Sequence, residues 1–208
     1  MMVKVKICGI TTVSDAIMAA RAGADALGFN FVKGSPRYIT PEKARPIVMS
    51  LPPFVSAVGV FMDSPVELVQ SIAKACELDY VQLHGHETPR KVSRMKGLRI
   101  LKAIRVAGEE DVKNLGKYQV DGFVLDTFVE GQPGGTGQTF NWHLARGASG
   151  TGNTVFVAGG LTPDNVAAAV ETARPYGVDT ASGVEDSPGE KSRDLVTEFI
   201  RAAKSVTL

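Results

Sequence analysis

Cysteine is nearly absent. The 208-residue chain holds two, Cys8 and Cys76, which permits one disulfide but no secreted disulfide framework. Cys76 falls in a helical pattern and reads as a core residue, the usual place of a free cysteine. Long apolar runs are missing as well: none approaches the ~18 residues of a membrane span. The opening residues enter a strand pattern without the apolar stretch of a signal peptide. Neither sign of charge dominates. A formal net charge of +1 exerts no broad pull on nucleic acid or an anionic membrane. No linker or low-complexity segment divides the chain, so residues 1–208 are expected to form one domain. With 44% hydrophobic and 22% charged residues, the composition is that of an ordinary globular protein. A cytoplasmic enzyme with reduced thiols is the expected class.

What is present is an alternation of element type. Strand-like runs occur at 3–8, 24–31, 55–62, 79–84, 99–106, 120–126, 153–159 and 177–181. Helical patterns lie between or after them, at 14–23, 64–77, 162–175 and 191–204. Pro41, Pro65 and Pro163 sit where a helix start tolerates a missing N–H. Thr40, Ser64 and Thr162 precede them as N-cap candidates, and Glu67 and Asp164 suit first turns. Eight strand–helix units imply parallel strands with right-handed crossovers. They can close as a compact (β/α)₈ barrel. At about 26 residues per unit some helices must be abbreviated, and those after the fifth and sixth strands are the expected ones. The rival is an open doubly wound sheet. Its nucleotide fingerprint after the first strand is replaced here by "GITTVSDA", and no P-loop motif occurs.

Strand phase then selects residues. In "VKVKIC", Val3, Val5 and Ile7 suit the helix-facing layer, which turns Lys4, Lys6 and Cys8 into the barrel. Cys8 ends the strand at the carboxyl rim, where barrel active sites lie. Gly9 lets the chain turn away and leaves room above the thiol. By the same phase Val120, Gly122, Val124 and Asp126 face the axis, as do Gln82 with His84 and Asp179 with Ala181. Buried lysines need counter-charges, which Asp126 or Asp179 can supply. Each residue alone has a plainer reading: Cys8 as a small packed hydrophobe, His84 as a loop-orienting group, Asp126 as a turn former. Their joint position at the strand ends favours chemistry.

Two glycine-containing loops follow the seventh and eighth strands, "VAGGLTPDNV" and "DTASGVEDSPG". Loops at those positions often hold phosphate through backbone N–H groups, which nominates Gly160, Ala181, Ser182 and Gly183. The same glycines also suit tight turns. Arg37, in "KGSPRYIT", is either a solvated charge or a bidentate clamp for a ligand carboxylate. "GGTGQT" suits a mobile loop after the sixth strand, and its spacing names no ligand.

Taken together, "KICGIT", "SPRYI", "VGVF", "VQLHG", "GGTGQTFNW", "GGLTPDNV" and "DTASGVE" resemble the phosphoribosylanthranilate isomerase family of tryptophan biosynthesis. They occur in that family's order over nearly the whole chain. The resemblance implies a small (β/α)₈ barrel with no cofactor and no metal. It implies an Amadori rearrangement of N-(5′-phosphoribosyl)anthranilate to 1-(2-carboxyphenylamino)-1-deoxyribulose 5-phosphate. It makes Cys8 the general base and Asp126 the general acid, with Arg37 on the anthranilate carboxylate. His84 and Asp179 are further substrate-binding candidates, and Gly160 with Ala181, Ser182 and Gly183 the phosphate site. The expected partner is a small-molecule phosphosugar, with no nucleic acid and no membrane, on a monomer or homodimer.

The residue types suit that chemistry. An acid must protonate the furanose oxygen, so Asp126 has to be protonated although an ordinary Asp, near pKa 3.9, is ionised at neutral pH. Desolvation by substrate can raise it. A base then removes the C2′ proton. A thiol near pKa 8.5 is only a few per cent thiolate at pH 7, so Cys8 needs assistance and Lys6 is the nearest candidate. Two departures from the family's pattern are visible. Ala181 stands where serine is usual, which keeps a backbone contact but drops a hydroxyl. Asn141 stands where aspartate is common, an equally good N-cap. A histidine-pathway Amadori isomerase would use two aspartates, whereas here Cys8 ends the first strand. A non-catalytic phosphosugar-binding barrel would have lost the acid or the base, and both are present.

Overall fold

The computed structural model describes residues 2–127, 141–150 and 152–208. The "GGTGQT" segment lies outside the described residues. Eight parallel strands close into a barrel in sequence order: β1 (Lys4–Cys8), β2 (Ala26–Asn30), β3 (Ser56–Phe61), β4 (Tyr80–Leu83), β5 (Ile100–Val106), β6 (Gly122–Thr127), β7 (Val155–Val157) and β8 (Gly177–Thr180). β8 pairs back onto β1, with Lys6 opposite Asp179. A two-stranded antiparallel hairpin, β9 (Glu185–Ser187) and β10 (Glu190–Lys191), follows the barrel.

The helices are α1 (Val13–Ala22), α2 (Pro41–Met49), α3 (Val66–Ala75), α4 (Pro89–Val92), α5 (Glu109–Lys113), α6 (Trp142–Gly150), α7 (Val166–Ala173) and α8 (Arg193–Lys204). Their abbreviation matches expectation after β5 and differs from it after β4 and β6. The shortest is α4, with four residues, then α5 with five, whereas α6 runs for nine. Pro89 starts α4, Thr88 caps it, and Val92 is its one buried residue. Two expected caps also move. Pro65 holds the cap position of α3 in place of Ser64. Asn165 accepts the Thr162 N–H in a turn before α7, which leaves Thr162 and Asp164 outside that helix. Asn141 does cap α6, accepting from His143 N at 3.1 Å.

The core has two compartments, as the strand period dictates. Between strands and helices lies the larger one, which includes Val3, Val5, Ile7, Leu27, Phe29 and Leu125. α8 closes it with Val196, Phe199, Ile200 and Ala203, the stripe that a 3.6-residue period lays on one face. Val120, expected on the axis, packs in this outer layer because β6 begins only at Gly122. Inside the barrel Val58, Leu101, Ala103, Val124 and Ala158 form a small plug. Cys76 is buried and free, its thiol against the Pro41 carbonyl. Of the two β1 lysines expected in the barrel, only Lys6 is buried. Lys4 sits at the amino-terminal mouth, exposed, and pairs with Asp25 at 2.9 Å.

Candidate active site at the carboxyl rim

Above the plug, the strand ends surround a cavity of about 450 Å³. Cys8, Arg37, His84, Asp126 and Asp179 line it, together with Gly160, Ala181 and Ser182. Gly183 is not among the lining residues; it packs so close to Leu161 that a Cβ would collide with the Leu161 carbonyl. The other sequence-selected residues therefore share one cavity.

Register explains the thiol's place. Cys8 is opposite Gly28 of β2, and a Cβ on Gly28 would stand 2.6 Å from Cys8 Sγ. Gly28, which sequence reading missed, makes the room for the thiol. Gly9 has φ +80° and permits the turn, as expected, but the space it leaves is filled by the Arg37 side chain, whose Cδ would be 2.5 Å from a Cβ there.

Lys6 donates to Asp179 Oδ2 at 2.8 Å, with side chains 1% and 8% exposed. Burial opposes the ammonium, but Asp179 and Cys8 outweigh it and hold the Lys6 pKa above its ordinary value. Asp179 is pushed up by burial, with Lys6 pulling it back. Burial also raises the Cys8 thiol; Lys6 and Lys191 lower it, and Asp179 raises it further. Lys6 thus acts in the expected direction, but burial outweighs it and holds the Cys8 thiol above its ordinary pKa.

His84 joins β4 to the acid candidate. Gln82 Nε2 donates to His84 Nδ1 at 2.9 Å, and His84 Nε2 donates to Asp126 Oδ2 at 3.1 Å. Asp126 Oδ1 accepts the Thr127 N–H at 2.8 Å. A buried ion pair anchors this corner from outside the barrel. Glu87 accepts from Lys102 Nζ at 3.0 Å, from Asp63 N at 2.7 Å and from Gly85 N at 3.1 Å, tying the loops after β3 and β4 together.

Arg37 forms a fork with a residue the sequence did not nominate. Its Nε and Nη2 donate to Glu185 on β9, the latter at 2.6 Å. Lys191 on β10 donates to the same carboxylate at 2.6 Å and to the Ala181 carbonyl at 3.1 Å. Hydrogen bonds to Glu185 hold Arg37 above its ordinary pKa. Burial depresses Lys191, against the pull of Glu185. Glu185 resists its own burial and ends below the usual carboxylate range because both cations hydrogen-bond to it. The only sequence signal for this triad was a lysine and a glutamate near the phosphate-loop candidate. Among the described residues, no group of three or more His, Cys, Asp or Glu is placed to hold a metal ion, and no helix is long and apolar enough to cross a membrane.

The family model described as N-(5′-phosphoribosyl)anthranilate (PRA) isomerase matches residues 5–202. The chain belongs to that family. A PRA isomerase of Pelobacter propionicus is 49% identical over 203 residues, covering 98% of this chain and 96% of that protein. Phosphoribosyl anthranilate isomerase from Thermotoga maritima has a crystal structure 40% identical to this chain, with a TM-score of 0.91, covering 99% and 100% of the two chains. A further PRA isomerase structure, in complex with reduced 1-(o-carboxyphenylamino)-1-deoxyribulose 5-phosphate, is 38% identical with a TM-score of 0.88, covering 99% and 100%. The PRA isomerase family thus accounts for the barrel and for nearly the whole chain.

Proposed function

We propose that this chain isomerises N-(5′-phosphoribosyl)anthranilate by general acid–base catalysis, with Asp126 as acid and Cys8 as base. The observation that carries the reading is the convergence of Cys8, Asp126, His84 and Asp179 on one cavity at the carboxyl rim, in a chain of the PRA isomerase family. Protonated Asp126 donates to the furanose oxygen, the ring opens, and the anomeric carbon becomes an iminium. The iminium acidifies the C2′ proton, which the Cys8 thiolate removes. The resulting enolamine tautomerises to the ketone. Lys6 favours the thiolate, while the buried Asp179 opposes it and offers Oδ1, which has no hydrogen-bond partner among the described residues, to a substrate hydroxyl. Arg37 is proposed to hold the anthranilate carboxylate with the guanidinium edge that Glu185 leaves over. Backbone groups at Gly160 and from Ala181 to Gly183 are proposed to hold the phosphate.

The same reading gives a phosphosugar as the small-molecule partner, a cytoplasmic location and a monomer or homodimer, which light scattering distinguishes. The test of the reaction is product chemistry. An isomer of unchanged mass that no longer releases anthranilate in acid is the expected product, because its amine is bonded to a methylene. Release of anthranilate, or no change above background, contradicts the reading.

A further inference from the structure

We propose that Gln82 is a positioning residue that governs, through His84, when Asp126 holds a proton. This rests on the reading of Asp126 as the general acid. Gln82 lies on β4, 1% exposed, with Nε2 2.9 Å from His84 Nδ1. An amide nitrogen only donates. Nδ1 of His84 is therefore bare, Nε2 carries the hydrogen, and that hydrogen is donated to Asp126 Oδ2 at 3.1 Å. Such an arrangement stabilises a carboxylate, the form of an acid that has already given up its proton.

A second observation points to an alternative state. Gln82 Oε1 is buried without a hydrogen-bond partner among the described residues, and an unmade hydrogen bond in the interior is costly. Turning the amide over brings Oε1 to Nδ1, where it accepts only if Nδ1 carries hydrogen. Loading the acid then balances. One proton from solvent binds Nδ1 as the amide turns, and the Nε2 proton crosses to Asp126 Oδ2. His84 is again neutral, now donating from Nδ1 to Gln82 and accepting from the Asp126 O–H at Nε2. Asp126 has gained one proton and lost its charge. The His84 side chain is 17% exposed, which gives solvent a route to the ring.

The imidazolium passed through on the way is held by a charge-assisted bond to Gln82 Oε1, stronger than a neutral one. Other charged and titratable groups face this pair. Asp179 on β8 and Cys8 on β1 share the cavity, with Lys6 behind Asp179. Arg105 on β5 is the register partner of Asp126. Asp63 after β3 is occupied by His86, and Glu87 by Lys102. Among the described residues, Gln82 is the hydrogen-bond partner of Nδ1, and its amide can offer either a donor or an acceptor.

The test pairs nitrogen NMR of His84 in the substrate-free enzyme with the pH profile of kcat on substrate generated in situ. Gln82→Glu places an acceptor against Nδ1. It is expected to move the His84 titration and the alkaline limb of kcat upward together, by about one pH unit for one hydrogen bond to a charged group. Gln82→Met keeps the bulk and loses the acceptor. Both limbs are expected to move down, so that kcat falls about tenfold at alkaline pH and within about twofold at mildly acid pH. A uniform loss of kcat with an unmoved His84 titration, or shifts of the opposite sign, overturns the proposal. If Gln82→Glu fails to fold, Gln82→Met decides alone. A wild type with no turnover defeats the isomerase reading instead, and the His84 titration still reports on Gln82.

Discussion

Replacing Lys6 with Met probes the pair beneath the thiol. Lys6 and Asp179 meet at 2.8 Å with almost no solvent access. The substitution keeps the bulk of the side chain and strands the Asp179 carboxylate, whose Oδ1 already lacks a partner among the described residues. Breaking a buried pair from one side costs ~3–5 kcal/mol. Asp179 borders the cavity, where water can reach it, so the lower end, about 3 kcal/mol, is expected. At 2–4 °C per kcal/mol for a domain of this size, that is a fall in Tm of roughly 6–12 °C. Urea denaturation should show a lower midpoint at unchanged slope. The double variant Lys6→Met/Asp179→Asn should recover most of the loss, because the stranded charge is gone. In the single variant the thiol should also rise further, since the cation that lowers it is lost while Asp179, which raises it, remains. Alkylation of Cys8 by iodoacetamide, corrected with Cys8→Ala, should slow at fixed pH and reach half-maximum at a higher pH. A midpoint of unfolding and an alkylation profile both equal to wild type would refute this account of the pair and remove Lys6 as the aid to Cys8.

Three further outcomes follow from the same contacts. In Glu185→Gln, Arg37 and Lys191 lose their shared carboxylate. Because the folded Glu185 pKa lies below its ordinary value, its contribution to stability is present above about pH 4.3 and lost as pH falls through the folded value. The variant should be less stable at neutral pH and show a smaller acid-induced loss in urea titrations. Gly28→Ala drives a methyl group against Cys8 Sγ. It should lower kcat at least tenfold with a stability cost of ~1–3 kcal/mol, the usual cost of overpacking, read by steady-state kinetics and denaturation. Glu87→Gln leaves Lys102 buried without its counter-charge and should cost ~3 kcal/mol or more in urea denaturation.

The barrel was legible because a period of 2 in the strands and 3.6 in the helices is written locally, residue by residue. "VKVKIC" and "VDGFVLD" carried their phase openly enough to bring Cys8 and Asp126 to one rim. The helix lengths were less legible: α4 stops at Val92 although Met95, three residues further on, is itself buried. Partnerships across the chain were not legible at all. Arg37 and Glu185 are 148 positions apart, and the hairpin that carries Glu185 has weak strand character of its own. Lys102 offered a faint signal, a lysine in the otherwise apolar "ILKAI", but its partner Glu87 sits in a loop whose course only the fold determines. Gln82 was seen to share a face with His84, yet which of its amide atoms meets the ring is a matter of ångströms.

The central claim is most directly tested by following the loss of phosphoribosylanthranilate fluorescence, with substrate generated in situ, for wild type, Cys8→Ala and Asp126→Asn. The account predicts rapid decay for wild type and decay near background for both variants, each folded by circular dichroism. Wild-type decay at background, or full activity in either variant, would contradict it.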